Sequence, residues 1–314
     1  MHTQTRTFTA KAHAKINLAL AVGPAHHAPG DVHHGYHPIC SYMHAIDLCD
    51  GVRIERLDAG EPGRYDIAWV GADGGTTPVG WAIERDLVCR AHRALERHTG
   101  HPLPCVITVR KSIPAGGGLG GGSSDASSVL MGLDRVFGLG MGADELRPIA
   151  MGLGSDLGFF LDDAAADGAT PPRPGIVSGF GGDIERVRPV HAGTPVTLIL
   201  PAFGCDTGAV YRAFDADPGS SERFESASDA VRSRVASRDL VEETLSNDLL
   251  DAALRAVPAL RSVYASMRER LGVGVCLTGS GSTLFVLGSV LGPERAQSIR
   301  EVVPECRVLR TRLV

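Results

Sequence analysis

Six glycines fill the seven positions from 116 to 122, between the β-branched run Cys105-Val-Ile-Thr-Val-Arg110 and an apolar stretch that opens at Ser123-Ser124-Asp125. Without Cβ atoms in the way, the backbone N–H groups of such a loop can approach an anion closely. A helix starting directly after it adds the positive end of its dipole. Pro114, Ala115, Gly116, Gly117, Gly118, Leu119, Gly120, Gly121, Gly122, Ser123 and Ser124 are therefore the candidate cradle for a phosphate-bearing ligand. Gly116, Gly118 and Gly121 match G-x-G-x-x-G, but the acidic residue a dinucleotide domain needs about 20 positions on falls at Asp144 or Glu145, at a helix start. A Walker loop fails too, because Ser123 stands where lysine is required.

Two further features concern charge. Of the 31 basic residues only three, Lys11, Lys15 and Lys111, are lysine. A chain so rich in arginine keeps lysine where a compact point charge does what the broad guanidinium fork does not. Asp156 follows Ser155 and precedes the apolar run 157–161, a position that by itself reads as a helix cap.

These residues need elements to hold them. Residues 16–22 read as a buried strand at the end of the segment 8–22, followed by a turn-rich stretch over 23–35. Further strands are expected at 43–57, 65–70 and 105–110. Asp86 is placed to cap a helix running to about His98, on which Leu87, Ala91, Ala94 and Leu95 share a face. Helices are expected at 123–137, with Ser123, Ser124 or Asp125 as cap, and at 144–153. The Ala, Gly and Pro-rich stretch 162–183 reads as a surface loop or domain boundary. Beyond it come a strand at 196–200, helices near 207–214, 227–236, 247–256 and 258–270, and strands at 273–277 and 284–287. Asn247 and Asp248 read as an N-cap.

Length and composition set the frame. The 314 residues suit about two domains, and 43% hydrophobic with 21% charged residues is ordinary for a chain with a sizeable core. A formal charge of −5 provides no general basic field for nucleic acid or an anionic membrane. No run of 18 apolar residues and no secretory leader occurs, and seven scattered cysteines without a C-x-x-C pair suit a reducing compartment, so a cytoplasmic protein is expected.

The glycine loop resembles the second motif of the GHMP kinases. Ala14-Lys15-Ile16-Asn17-Leu18, Gly35-Tyr36-His37, the loop ending Gly-Gly-Gly-Ser-Ser-Asp, Leu153-Gly154-Ser155-Asp156, Ser246-Asn247-Asp248-Leu249 and Thr278-Gly279-Ser280-Gly281-Ser282-Thr283 occur in the order seen in one branch of that family. That branch phosphorylates the 2-hydroxyl of a cytidine-diphosphate-linked methylerythritol, a step toward isoprenoid precursors. The likeness runs from about residue 8 to about residue 288 and implies an α+β, two-domain GHMP-kinase fold. The expected parts are an N-terminal ATP-binding domain over 1–165 and a C-terminal domain over 166–314, with the active site in the inter-domain cleft.

By the same resemblance Asp156 is the catalytic carboxylate and Lys15 the catalytic lysine, while Lys111 is a nucleotide contact or, on the residues alone, a solvated charge at a strand end. Tyr36 and His37 would hold the cytosine, the ring by stacking and the imidazole at the base edge. Asn17 would touch the substrate beside Lys15. ATP with Mg²⁺ is the implied co-substrate, with metal ligands open and no prosthetic group; the expected assembly is a monomer or homodimer. Residues 23–36 are longer than the usual family turn and hold His26, His27, His33 and His34 beside Asp31, Asp86 replaces a usual Asn, and Gly158 replaces a usual proline. Another GHMP small-molecule kinase and a non-enzymatic nucleotide-binding relative remain the alternatives, the second weakened by the presence of both Lys15 and Asp156. A third, an NAD-binding oxidoreductase, is separable by equilibrium binding of ATP against NAD. If the lysines mark places closed to arginine, Lys15→Arg lowers kcat at saturating ATP and substrate by about 10²- to 10³-fold, whereas if Lys15 only supplies a surface charge, arginine costs less than about 0.5 kcal/mol in thermal unfolding and nothing in rate. An unchanged kcat would remove Lys15 from the chemistry.

Overall fold

In chain order the elements are β1 (Thr7–Val22), β2 (Ile39–Arg56), β3 (Arg64–Val70), β4 (Thr76–Pro78), α1 (Leu87–Thr99), β5 (Cys105–Lys111), α2 (Gly121–Phe137), α3 (Ala143–Met151) and α4 (Leu157–Phe160). There follow β6 (Gly175–Gly179), β7 (Asp183–Arg186), β8 (Pro195–Pro201), α5 (Thr207–Asp215), α6 (Phe224–Ala236), β9 (Ser246–Asn247), α7 (Leu250–Ala256), α8 (Pro258–Leu271), β10 (Cys276–Leu277), β11 (Leu284–Leu287), α9 (Pro293–Val302) and β12 (Cys306–Arg312). The computed structural model describes residues 6–71, 73–217, 219, 222–236, 240, 244–271, 274–288 and 293–314. Among them no helix is long and apolar enough to cross a membrane.

The chain forms two compact units that interleave in sequence. One comprises Met1–Ala14, Leu48–Ile113 and Gly120–Arg173; the other comprises Lys15–Asp47, Pro114–Leu119 and Pro174–Val314. In the first, β5 lies between β3 and β2, parallel to β3 (Tyr65 opposite Ile107) and antiparallel to β2 (Val52 opposite Val109). The alternate residues Cys105, Ile107 and Val109 of β5 point to one buried face, as period two requires. Val88, Ala91 and Leu95 of α1 and Ala126, Val129, Leu130 and Leu133 of α2 close over that face in one core. Their spacing of three and four keeps each set on one side of its helix, and full burial of a side chain such as Leu95 stabilises the fold by about 1.5 to 3 kcal/mol. Asp86 caps α1 as expected, accepting the Val88 N–H at 2.9 Å.

In the second unit β8 sits between β11 and β12, antiparallel to both, and β11 also pairs with β10. Residues 39–43 of β2 pair antiparallel with β6, and β9 runs parallel to β1 at Ala19 and Leu20. The apolar core joins Ile199, Leu284 and Val286 from the strands to Val210, Phe214, Ala253, Leu260 and Met267 from the helices.

Four expectations change in detail. Helix α2 begins at Gly121, not Ser123, and its N-cap is Gly120 at φ 70°, a left-handed conformation that glycine adopts without steric cost. Asn247 belongs to β9, and the helix after it starts at Leu250. The loop expected over 162–183 contains β6, whose short run Gly-Ile-Val-Ser-Gly is masked in sequence by flanking glycines and prolines. The strand expected at 273–277 is Cys276–Leu277, with residue 273 outside the described residues.

Candidate active site

Lys15 and Asn17 lie on β1 in the second unit, both 2% exposed. Their spacing of two puts them on the same face of the strand, and the Lys15 ammonium donates to Asn17 Oδ1 at 2.8 Å. The same oxygen accepts the Gly279 N–H at 2.9 Å and the Thr278 hydroxyl at 3.1 Å, and the Asn17 N–H donates to that hydroxyl oxygen at 3.1 Å. At its other end the Asn17 amide nitrogen donates to Ser41 Oγ at 2.8 Å. Both ends of the side chain expected to touch substrate are thus taken up by protein groups, because this stretch of β1 is buried and every polar atom there needs a partner.

The first half of the glycine loop, Pro114–Leu119, sits against this cluster. The Lys15 N–H donates to Leu119 O at 2.9 Å, and the Thr283 N–H donates to Gly117 O at 3.3 Å. Gly118 has φ +76°, and a Cβ there would lie 2.3 Å from Thr278 O, so only glycine lets the two loops approach this closely. The loop at 278–283 is braced from behind. Asn247 Nδ2 donates to the Leu277 and Gly279 carbonyls, both at 2.9 Å, Ser282 Oγ donates to Phe203 O at 2.6 Å, and Ser280 Oγ lies 3.0 Å from Thr207 Oγ1.

In the first unit, Gly120 turns the chain into α2. The N–H groups at the start of this 17-residue helix have no partners within it, which is the local condition for attracting phosphate oxygens. Ser123 is half-buried and Ser124 buried on that first turn. Asp156 occupies the N-cap position of α4 in a helical conformation without accepting a cap hydrogen bond, so its sequence position as a cap is not what its carboxylate does. It is half-buried, and α4 behind it is fixed by the Ser127 hydroxyl, which donates to Leu157 O at 2.9 Å.

Lys111 is no solvated strand-end charge. It is 4% exposed and donates to Asp50 Oδ2 at 2.7 Å and Asp125 Oδ2 at 2.5 Å, while Asp50 Oδ1 accepts the N–H groups of Ser112 (2.5 Å) and Ile113 (2.8 Å). Burial pushes the ammonium down, but the carboxylates of Asp125 and Asp50 more than offset it and hold Lys111 charged. Burial first, and the neighbouring Asp50 second, push the Asp125 carboxyl well above the usual carboxylate range. Two carboxyl groups share one cation. The triad ties the end of β5 to the first turns of α2.

Tyr36 and His37 diverge in environment. Tyr36 is 57% exposed, whereas His37 is buried, with Nδ1–H donating to Gly23 O at 2.9 Å and Nε2 lying 3.5 Å from Asp215 Oδ1. The histidine insert folds on itself: Asp31 reaches His26 Nε2 at 3.1 Å and His33 Nδ1 at 3.2 Å, and the His33 ring stacks on Phe180 at 4.1 Å. The hydrogen bonds from the His33 N–H and His26 hold the Asp31 carboxyl below its usual range. Among the described residues no group of three or more His, Cys, Asp or Glu is arranged to hold a metal ion. Asp86 uses both carboxylate oxygens internally, accepting from the Val88 N–H at 2.9 Å and from Trp81 Nε1–H at 2.8 Å.

Residues 86–166 match the GHMP kinases N terminal domain. The fold alone does not separate its members. A homoserine kinase structure from Cytophaga hutchinsonii, 16% identical, covers 100% of this chain and 96% of its own at a TM-score of 0.67. A crystal structure of 4-(cytidine 5'-diphospho)-2C-methyl-D-erythritol kinase, 27% identical, covers 98% and 99% at 0.68. Sequence separates them: the 4-diphosphocytidyl-2-C-methyl-D-erythritol kinase of Salinispora arenicola is 32% identical over 312 residues, 97% of this chain and 91% of its own. The chain belongs to the 4-diphosphocytidyl-2-C-methyl-D-erythritol kinase family. Its α+β architecture is the GHMP-kinase fold.

For this family member, residue patterns alone missed Asp50 and Ser41, neither of which stands out by type or spacing, and took Asp125 and Asn247 only for caps. The triad makes a test of pH. Because Asp125 binds its proton more tightly folded than unfolded, stability falls as pH rises upward from the ordinary carboxylate range through the raised value. Asp125→Asn therefore gains unfolding free energy relative to the unaltered chain as pH is raised from 4 to 8, whereas Asp50→Asn loses about 3 to 5 kcal/mol at neutral pH. Denaturant titrations across that range check both, and a pH-independent difference for Asp125→Asn would show that its carboxyl titrates normally.

Proposed function

We propose that this chain transfers the γ-phosphoryl group of ATP to the 2-hydroxyl of 4-diphosphocytidyl-2-C-methyl-D-erythritol, the reaction its relatives are named for, as a step toward isoprenoid precursors. The observation that carries this reading is the buried Lys15–Asn17–Thr278–Gly279 cluster packed on the glycine loop, in a chain 32% identical to such a kinase across nearly its whole length.

Phosphoryl transfer asks a protein for position and charge compensation more than for covalent chemistry. The loop and helix start over 114–124 bind the phosphates of ATP through backbone N–H groups that follow Pro114. The Lys15 ammonium balances charge that develops on the transferring group, and Asn17 fixes its direction. Asp156 accepts the proton of the attacking hydroxyl or orients it. Tyr36, exposed, supplies a stacking face for the cytosine, and His37 shapes the same place from the buried side. Lys111 acts through the Asp50–Asp125 triad that sets the approach to the loop. Magnesium fits as an ion carried in on the nucleotide, since Mg²⁺ takes phosphates, waters and one or two carboxylates, and Asp156 and Ser123 are hard oxygen donors of that kind. Bound there, it would neutralise the phosphate oxygens. The reading includes cytoplasmic residence, a monomer or homodimer, and no nucleic-acid or membrane partner.

The test is coupled ATP consumption over a panel of mevalonate, homoserine, galactose and the cytidine-diphosphate-linked methylerythritol. Turnover is expected with the last alone, and Asp156→Asn is expected to lower it by about 10²- to 10⁴-fold with ATP binding retained. Turnover of another panel member in its place would transfer the chain to a different substrate, and a variant within about threefold of the unaltered rate would exclude Asp156 as the base.

A further inference from the structure

Ser41 is 0% exposed, near the start of β2, where its register partner on β6 is Val177. A hydroxyl in such a place must spend its hydrogen and its lone pairs on protein atoms. Its surroundings fix how. Ser41 Oγ lies 2.9 Å from Ala19 O, a carbonyl that only accepts, so the hydroxyl hydrogen goes there. The same oxygen lies 2.8 Å from Asn17 Nδ2, an amide that only donates, so Ser41 accepts from it. The amide nitrogen of Asn17 is thereby held on the Ser41 side. Its carbonyl oxygen faces the opposite way, into three donors: the Lys15 ammonium, the Gly279 N–H and the Thr278 hydroxyl.

Two of those donors, the ammonium and the backbone N–H, have no acceptor capacity, so a reversed amide would set donors against donors. The side chain also has no water to turn to at 2% exposure. The position of the Asn17 oxygen, and with it the line along which the ammonium is drawn, depends on the anchor at the far end of the amide.

We propose that Ser41 is a positioning residue for phosphoryl transfer: through Asn17 it fixes the Lys15 ammonium and the Thr278–Gly279 backbone without itself touching either substrate. The inference rests on the kinase reading. Ser41→Ala leaves the Asn17 amide nitrogen without its acceptor, and the amide moves off its three donors to recover one.

The experiment is a double-mutant cycle on kcat, with KM values and unfolding curves for each protein. Ser41→Ala is expected to lower kcat about tenfold, to leave KM for ATP and for the cytidine substrate within about twofold, and to change kcat by less than about twofold when placed on Lys15→Ala. Ser41→Cys, similar in size and with a weak donor and acceptor, is expected to recover part of the rate. It also takes the place of the alanine variant in the cycle if that variant does not fold. An equal loss in both Lys15 backgrounds, a loss confined to KM, or an unchanged kcat overturns the proposal. The unaltered chain is run alongside. Absence of turnover there overturns the kinase reading, whereas turnover there with an equal loss in the two backgrounds overturns only the role of Ser41.

Discussion

The buried amide of Asn17 is the constraint on which the arrangement around Lys15 depends. One carbonyl oxygen gathers a lysine two residues before it and two groups more than 260 residues after it, within 3.1 Å. A hydrogen bond to a charged group contributes about 1.5 to 3 kcal/mol, but leaving a buried donor without a partner costs about as much again, so the cluster forms as a whole or not at all. That cooperativity makes a long, flexible side chain such as lysine usable. Burial removes its alternative rotamers, and the fixed oxygen selects one direction.

The same logic extends outward through the backbone. The first half of the glycine loop and the loop at 278–283, both in the second unit, meet with no side chain on the glycine side, Gly118 against the Thr278 carbonyl and Gly117 against the Thr283 hydroxyl, and backbone hydrogen bonds from Lys15 and Thr283 hold the glycine loop there. Asn247 and the residues at 203–207 brace the far side of the second loop. In the other unit the Asp50–Lys111–Asp125 triad does the corresponding work at the entry to α2. Both arrangements use a buried polar group to pin backbone N–H or C=O groups at a loop. One is neutral at its centre, and the other is charged and sensitive to pH.

Much of this is written locally in the sequence. A β-branched strand, a glycine run and an apolar helix announce the strand–loop–helix unit around 116–122 because each depends on neighbours in the chain, and Asp86 declares its cap for the same reason. Lys15 is visible because lysine is rare here. The partners are harder to read, because they come from long range. Nothing near Ser41 in the sequence shows that its hydroxyl faces Asn17, and nothing near Asp50 shows that Lys111 lies 2.7 Å away. Helix α9 and strand β12 carry mixed apolar and charged residues and show themselves only once β12 pairs with β8 along its whole length. Asn247 has the type and position of a helix cap; only the fold shows that its amide serves the loop at 278–283 as well.

The most direct measurement is rapid-quench single turnover of Asn17→Ala, paired with equilibrium dissociation constants for ATP and for the cytidine-diphosphate substrate. If Asn17 works by holding Lys15 and the Gly279 backbone in place, the rate of the chemical step falls by about 10²-fold or more while both dissociation constants stay within about threefold of the unaltered chain. A chemical step that keeps its rate while the substrate dissociation constant rises would contradict this, and would make Asn17 a substrate contact whose hydrogen bonds to Lys15 and Gly279 are incidental.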